Sequence, residues 1–186
     1  MMKIQLIAEG STKQERLIRR WGLSFIIGEN VLFDAFGDAK VFQDNLKRFN
    51  VDILKIKHIV LSHDDWDHIA GLWDLLESKK DVCVYICPGF KEDIKQKILS
   101  FGVNLIEVKE AREITQNVYS SGELYGKAQD REIFEQSLVI KTKDGLVVIC
   151  GCAHPGVNNI VNHVEAHFKE KVCALVGGFH LKDNDE

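Results

Sequence analysis

Residues 59–72 read IVLSHDDWDHIAGL, so two histidines and three aspartates crowd into positions 63 to 68 directly behind an apolar run. Beyond the end of a strand, extended or turn geometry presents His63, Asp65 and Asp67 to one side, and His68 opens the next element. Imidazole nitrogens and carboxylate oxygens are donors for Zn, Fe or Mn. An array of four such donors exceeds what one tetrahedral catalytic zinc takes from a protein, so the spacing points to two metal ions. Aspartates also serve a helix N-terminus by meeting its dipole. That accounts for Asp64, Asp65 and Asp67 but leaves two histidines in this register unexplained.

The elements that must position this cluster alternate between strand and helix patterns. LSFIIGENVLFD reads as two strands around a Gly-Glu-Asn turn, and FGDAKVFQDNLKRFN as a helix capped by Asp38. IKHIVLSH follows as a buried strand. Later, QSLVIKTKDGLVVIC repeats the hairpin with Asp144-Gly145 at its turn, and HPGVNNIVNHVEAHFKE is predicted as a helix with Pro155 at its start. Val157, Ile160, Val161, Val164 and Phe168 form one apolar stripe along that helix, and VCALVGGFH is the next strand. Each half thus runs hairpin, helix, strand, histidine, with Ser24 matching Ser137 and His63 matching His180. A duplicated unit of this kind predicts an α/β fold of two similar mixed sheets packed face to face, with helices outside and both strand-end histidines at one edge. Between the halves, a helix follows the motif, then a strand at 82–87 and a helix near 91–100. A loop-rich piece around NVYSSGELYGKAQD completes the connection, and a lid could sit there with Tyr119, Tyr125, Lys127 and Arg131, although solvated loops are the commoner fate of such residues. No linker or low-complexity tract intervenes, so residues 1–186 are expected to form one domain.

Composition narrows the partners. A formal charge of -4 in 186 residues, without a block of Lys and Arg, is no footprint for nucleic acid or an anionic membrane. The charge-free segment 145–164 carries His154, Pro155, His163 and three asparagines, so it would not partition into lipid. MMKIQLIAEG lacks the long apolar region of a secretory signal, and a cytoplasmic protein acting on a small molecule is expected. The five cysteines lack the paired C-x-x-C spacing of a zinc ribbon and are expected to be reduced thiols, with Cys83 and Cys87 on one strand face. His163 and His167, at i,i+4, are expected in solvent, and His58 to be structural or exposed.

His63-x-Asp65-x-Asp67-His68 behind a strand resembles the H-x-H-x-D-H signature of the metallo-β-lactamase superfamily, whose four-layer αββα sandwich is also a duplicated hairpin-helix-strand unit. Asp34, ending VLFD, resembles its aspartate behind the metal loop, and His180 in GGFH its last metal histidine. More narrowly, GLSFIIGENVLFDAFG, NVYSSGE, QSLVI, VVICGCAHPGVNNIV and VGGFHL are similar to the branch around dihydropterin-related synthases of methanopterin biosynthesis. The resemblance implies a metal-dependent hydrolase with a dinuclear centre. Two departures stand out: Asp65 replaces the second motif histidine, and no histidine lies between His68 and His154, so His154 must take the role of the third. The superfamily's bridging aspartate falls near Cys152, which either bridges two metals or, as the expectation here, packs as a small core residue. Sorting the ligands gives one site of His63, Asp65 and His154 and another of Asp67, His68 and His180, for two ions of Zn, Fe or Mn. Asp67 would also orient the attacking water, and Asp34 would support the histidine loop. Transfer chemistry on a dihydropterin, di-iron redox chemistry and a non-catalytic metal sensor are the alternatives.

Overall fold

The computed structural model describes residues 2–10 and 21–180. The first sheet takes its strands in chain order: β1 (Ile4–Gly10), β2 (Gly22–Ile27), β3 (Val31–Phe33), β4 (His58–Val60), β5 (Cys83–Ile86) and β6 (Asn104–Glu107). β1 to β3 are antiparallel and β3 to β6 parallel. β7 (Glu110–Thr115) and β8 (Val118–Gly122) open a second sheet. A separate hairpin of β9 (Leu124–Ala128) and β10 (Arg131–Glu135) interrupts it before β11 (Leu138–Thr142), β12 (Gly145–Cys150) and β13 (Val172–Gly177). Its order is β13-β12-β11-β8-β7.

The two halves share one topology. An antiparallel hairpin leads through a helix to a parallel strand in both: β2-β3-α1-β4, with α1 at Ala39–Arg48, and β11-β12-α5-β13, with α5 at Val157–Phe168. Asp38 caps α1 by accepting from Val41 N at 2.9 Å, so a local signal starts that crossover. α5 starts later than Pro155 suggests: Gly156, at φ 91°, is its cap, and Val157 its first residue.

Three apolar clusters show how the layers meet. Alternate residues of the first sheet divide between two of them: Leu23, Phe25, Val31, Phe33 and Val60 face Val118, Leu138, Ile140 and Ile149 of the second sheet. Ile26, Leu32, Ile59, Val84 and Ile86 turn outward against Phe42 and Leu46 of α1, Leu72, Leu75 and Leu76 of α3 (Leu72–Ser78), and Ile98 of α4 (Glu92–Ser100). Val139, Leu146 and Val148 bury the outer face of the second sheet beneath Ile160 and Val164 of α5. The result is a helix-sheet-sheet-helix stack of two mixed sheets. No helix among the described residues is long and apolar enough to cross a membrane.

Several local expectations shift. NVYSSGELYGKAQD is not loop-rich: it supplies β8 and β9. Buried Ser120 and Ser121 break its apolar alternation, yet Ser120 Oγ donates to Gln136 Oε1 at 2.5 Å and Ser121 Oγ accepts from Ser137 N at 2.9 Å, so polar side chains sit in a strand interior at little cost. The helix after the motif is two pieces, α2 (Trp66–Ile69) and α3, and it begins before His68 rather than at it. Cys83 packs with the inter-sheet cluster but Cys87, beyond the end of β5, with the outer one, so the two do not share a face. All five cysteines are free thiols.

Candidate metal centre

The predicted ligands come from four chain segments that end at one edge of the stack. His63 and Asp65 follow β4, Asp67 and His68 lie in α2, Cys152 and His154 follow β12, and His180 follows β13. The ring centroids of His63 and His68 are 4.2 Å apart, those of His63 and His154 4.8 Å, and those of His154 and His180 4.9 Å. Side-chain donors of His63, His68 and Cys152 lie within 4.8 Å of one another, and so do those of Cys152, His154 and His180. Non-glycine residues adopt left-handed backbone at three of these strand ends: Asp34 (φ 55°), Ala153 (φ 57°) and His180 (φ 41°). Each costs on the order of 1 kcal/mol, a cost that clusters at functional sites.

Buried acceptors set the tautomers of the imidazoles. Asp34 is fully buried, and its carboxylate accepts from Ser62 N (2.7 Å), Ser62 Oγ (2.7 Å) and His68 Nδ1 (2.6 Å). The single hydroxyl proton of Ser62 goes to Asp34, so at the 2.8 Å contact between Ser62 Oγ and His63 Nδ1 the imidazole must be the donor. His63 Nε2 is then a lone-pair atom, buried and without a hydrogen-bond partner among the described residues. His68 likewise spends Nδ1–H on Asp34 and turns Nε2 to Cys152 Sγ at 3.2 Å. His154 Nδ1 lies 2.9 Å from Glu135 Oε2, which leaves its Nε2 as the free nitrogen. Three imidazoles are thus held with Nε2 as the available ligand atom, as metal-binding histidines require.

Charge separates His63 from His68. Burial, reinforced by neighbouring His68, drives His63 well below the ordinary imidazole pKa, which keeps it neutral. Burial opposes a charge on His68 too, but the Asp34 carboxylate and the Cys152 thiol outweigh it and hold its pKa well above the usual value, so in the metal-free chain its Nε2 keeps a proton toward Cys152 Sγ that a bound cation would have to displace. Burial pushes the Asp34 carboxyl up against the pull of His68. Burial also raises the Cys152 thiol, which His68 opposes.

Glu135 has no precedent in the sequence reading. Its Oε1 accepts from Cys152 N and Ala153 N, both at 2.9 Å, and its Oε2 from His154 N at 2.8 Å and His154 Nδ1. Although burial opposes its charge, these bonds hold its pKa at about 2. With both oxygens so engaged, Glu135 braces the second ligand loop from beneath, and one of its oxygens also lies within 4.8 Å of donor atoms of His63 and His154. The only sequence sign of it is a carboxylate two residues after buried Ile133 in a strand, a place that calls for an apolar side chain.

Other residues depart from expectation. Cys152 belongs to none of the apolar clusters; its thiol faces His68, and it lies within 4.8 Å of donor atoms of His63 and His68 in one group and of His154 and His180 in another, so it stands between the histidines. His63 gathers with His68 and Cys152 and also with Glu135 and His154, and His180 gathers with Cys152 and His154. Asp67 Oδ2 lies 3.7 Å from His68 Nε2, and Asp65 Oδ2 3.6 Å from His63 Nε2. Arg131 is exposed but not in a loop: it opens β10, with Nη2 2.5 Å from Asp65 Oδ2. His163 is half-buried, its Nε2 2.9 Å from Ser121 O, whereas His167 is exposed. His58 is structural, with Nδ1 3.0 Å from the Tyr85 hydroxyl.

Asp64 points the other way, its Oδ2 accepting from Lys91 N at 3.1 Å. Asp64→Ala is therefore expected to leave metal affinity unchanged, and Asp65→Ala to weaken it at least about tenfold. Competition with a chelator at one pH checks this; the reverse order would move the ligand register by one residue.

A partly buried cluster of imidazoles, carboxylates and one thiol at the strand ends of an αββα stack is a candidate metal centre. A family model described as "Beta-lactamase superfamily domain" matches residues 29–122, and the chain belongs to that superfamily. It is 26% identical over 211 aligned residues to the 7,8-dihydropterin-6-methyl-4-(beta-D-ribofuranosyl)-aminobenzene-5'-phosphate synthase of Methanocaldococcus jannaschii, over 88% of this chain and 72% of that protein. Among solved structures it is similar to Tm1679, described as a metal-dependent hydrolase of the beta-lactamase superfamily. That match has a TM-score of 0.75 and 26% identity over all of this chain and 79% of the other. The chemotaxis sensor ODP, captured as a peroxy diiron species, shares the fold at a TM-score of 0.64 and 15% identity, over 95% of this chain and 83% of that one.

Proposed function

We propose that the chain is a metal-dependent hydrolase that holds two divalent ions through His63, His68, His154, His180, Asp65, Asp67 and Cys152. The observation that carries this is His63 Nε2, a buried lone pair without a protein partner among the described residues, beside two more imidazoles whose Nδ1 is held by a buried carboxylate and whose Nε2 faces the cluster. An unpaired buried polar atom costs about 1–3 kcal/mol, and a cation at that point would remove the penalty. Bound ions would supply Lewis acidity, lowering the pKa of water and polarising a carbonyl or phosphoryl oxygen. Imidazole with carboxylate suits Zn, Fe or Mn, and the Cys152 thiol favours Zn or Fe among them. Asp67, mostly buried beside His68, is the carboxylate best situated to orient water and take its proton. Asp34 and Glu135 keep the histidines in the ligating tautomer. The substrate is proposed to be a small molecule with an ester-, amide- or phosphodiester-type bond, and the chain to act as one cytoplasmic domain.

A second reading, group transfer onto a dihydropterin, is favoured by the name of the Methanocaldococcus jannaschii relative. Anaerobic loading with zinc, iron or manganese followed by elemental analysis is expected to give close to two ions per chain. A cobalt-loaded sample should show a sulfur-to-metal band that Cys152→Ser abolishes. Turnover of a phosphodiester, thioester or lactam supports hydrolysis; turnover of a dihydropterin with an arylamine, and none of these, would replace it with transfer. A stoichiometry that stays near one sinks the two-ion centre.

A further inference from the structure

We propose that Arg131 captures an anionic group of the substrate, a phosphate or carboxylate, beside the metal centre; this deepens the hydrolase reading and rests on it. The β9-β10 hairpin that carries Arg131 touches both ligand loops. Arg131 reaches Asp65 after β4, and Glu135 at the other end of the same strand holds the backbone of residues 152–154. The hairpin is firmly seated. Gly126 lies so close to the next loop that a Cβ there would stand 2.5 Å from His154 C, and the Phe134 ring fills the space above Gly89. The strand that carries Arg131 is therefore held against both loops, and the Asp65 carboxylate draws its guanidinium toward the centre.

Its guanidinium stands at the mouth of the centre. The Arg131 side chain is 45% exposed, while that of Asp65 is 18% exposed. Asp65 is its one hydrogen-bond partner among the described residues, so the remaining N–H groups of the planar fork are open to a second oxyanion, for which that geometry is suited. Once Asp65 shares its charge with a metal ion, Arg131 is a cation next to cations, and a neutral substrate would leave that repulsion in place. An anionic group spanning the guanidinium and the centre relieves it. Asp64, whose charge also acts on Arg131, accepts from Lys91 N and pairs with Lys91 Nζ.

The full chain, metal-loaded, is titrated with inorganic phosphate and with acetate by calorimetry, with metal content measured on the same samples. Arg131→Ala is expected to keep the wild-type metal content and bind phosphate at least about tenfold more weakly, the lower end of what hydrogen bonds between charged groups supply. Arg131→Lys, a point charge without the fork, should fall in between. The relative affinity for the two probes distinguishes a phosphate from a carboxylate substrate. Unchanged affinity for both anions in Arg131→Ala at equal metal content overturns the proposal. So does loss of metal, which would make Arg131 only a tether for Asp65. A wild-type chain that takes up no metal overturns the hydrolase reading instead, and the Asp65→Asn chain then reads Arg131 separately. Tighter phosphate binding than wild type there supports capture by the released guanidinium, and no change overturns it.

Discussion

Asp34→Asn is expected to lower metal affinity by about 100-fold or more while leaving the shape of the side chain intact. The carboxylate accepts three hydrogen bonds, and the amide that replaces it presents donors where Oδ2 stood. An N–H facing Ser62 Oγ frees the serine proton to turn toward His63 Nδ1, which must then be the acceptor, and His63 Nε2 acquires the hydrogen. The same amide faces His68 Nδ1 and reverses that imidazole as well. Losing one such supporting partner costs about 10- to 100-fold in metal affinity, and here two ligands are turned over by one atom. Chelator competition gives the affinity, and nitrogen NMR of the imidazoles reports the tautomers directly. Wild-type affinity in Asp34→Asn would show that the hydrogen-bond chain from Asp34 does not set the ligands.

Glu135→Ala should produce the largest loss of stability, about 3–5 kcal/mol in the metal-free chain, because three backbone N–H groups and His154 Nδ1 lose their acceptor in the interior. Denaturant unfolding measures the loss, and amide exchange at residues 152–154 should accelerate before the rest of the second sheet. Glu135→Gln keeps the side-chain volume and isolates the charge. A carboxyl whose pKa is about 2 in the folded chain and 4.5 in the reference state contributes stability that is fully present above pH 4.5 and lost as pH falls toward 2. The shift corresponds to roughly 3 kcal/mol. Wild type should therefore lose that much more than Glu135→Gln across this window. Parallel acid-unfolding curves for the two would exclude a charged Glu135 in the native loop.

Where a feature depends on neighbours in the chain, the sequence by itself determined it. Asp38 sits one residue before α1 and caps it through Val41, and the Gly-Glu-Asn turn lies between β2 and β3, whereas the second hairpin turns one residue earlier than expected, at Lys143-Asp144, with Gly145 already paired with Thr142 in β12. Alternation along β2 to β5 separates an inter-sheet face from a helix-covered one because side chains in a strand alternate with a period of two. The repeat of hairpin, helix and strand was legible for the same reason, and with it the αββα stack. His63, Asp65, Asp67 and His68 drew notice because their spacing is local.

Tertiary structure decided which groups answer one another across the fold. Asp65 and Arg131 are 66 residues apart in the chain, His68 and Cys152 84, and Glu135 acts on a loop 17 to 19 residues away. No periodicity records such pairs, since an isolated glutamate or arginine in a strand has the same local propensities whether it faces solvent or a ligand. Cys152 looked like a small core residue because burial and composition alone favour that place for a thiol. Its partner, His68 Nε2, exists at that point only because the two sheets bring β4 and β12 to the same edge. Likewise β8 and β9 looked like loop because Ser120, Ser121 and Gly126 interrupt the apolar pattern, and only the acceptors and backbone they meet make those residues fit a packed interior.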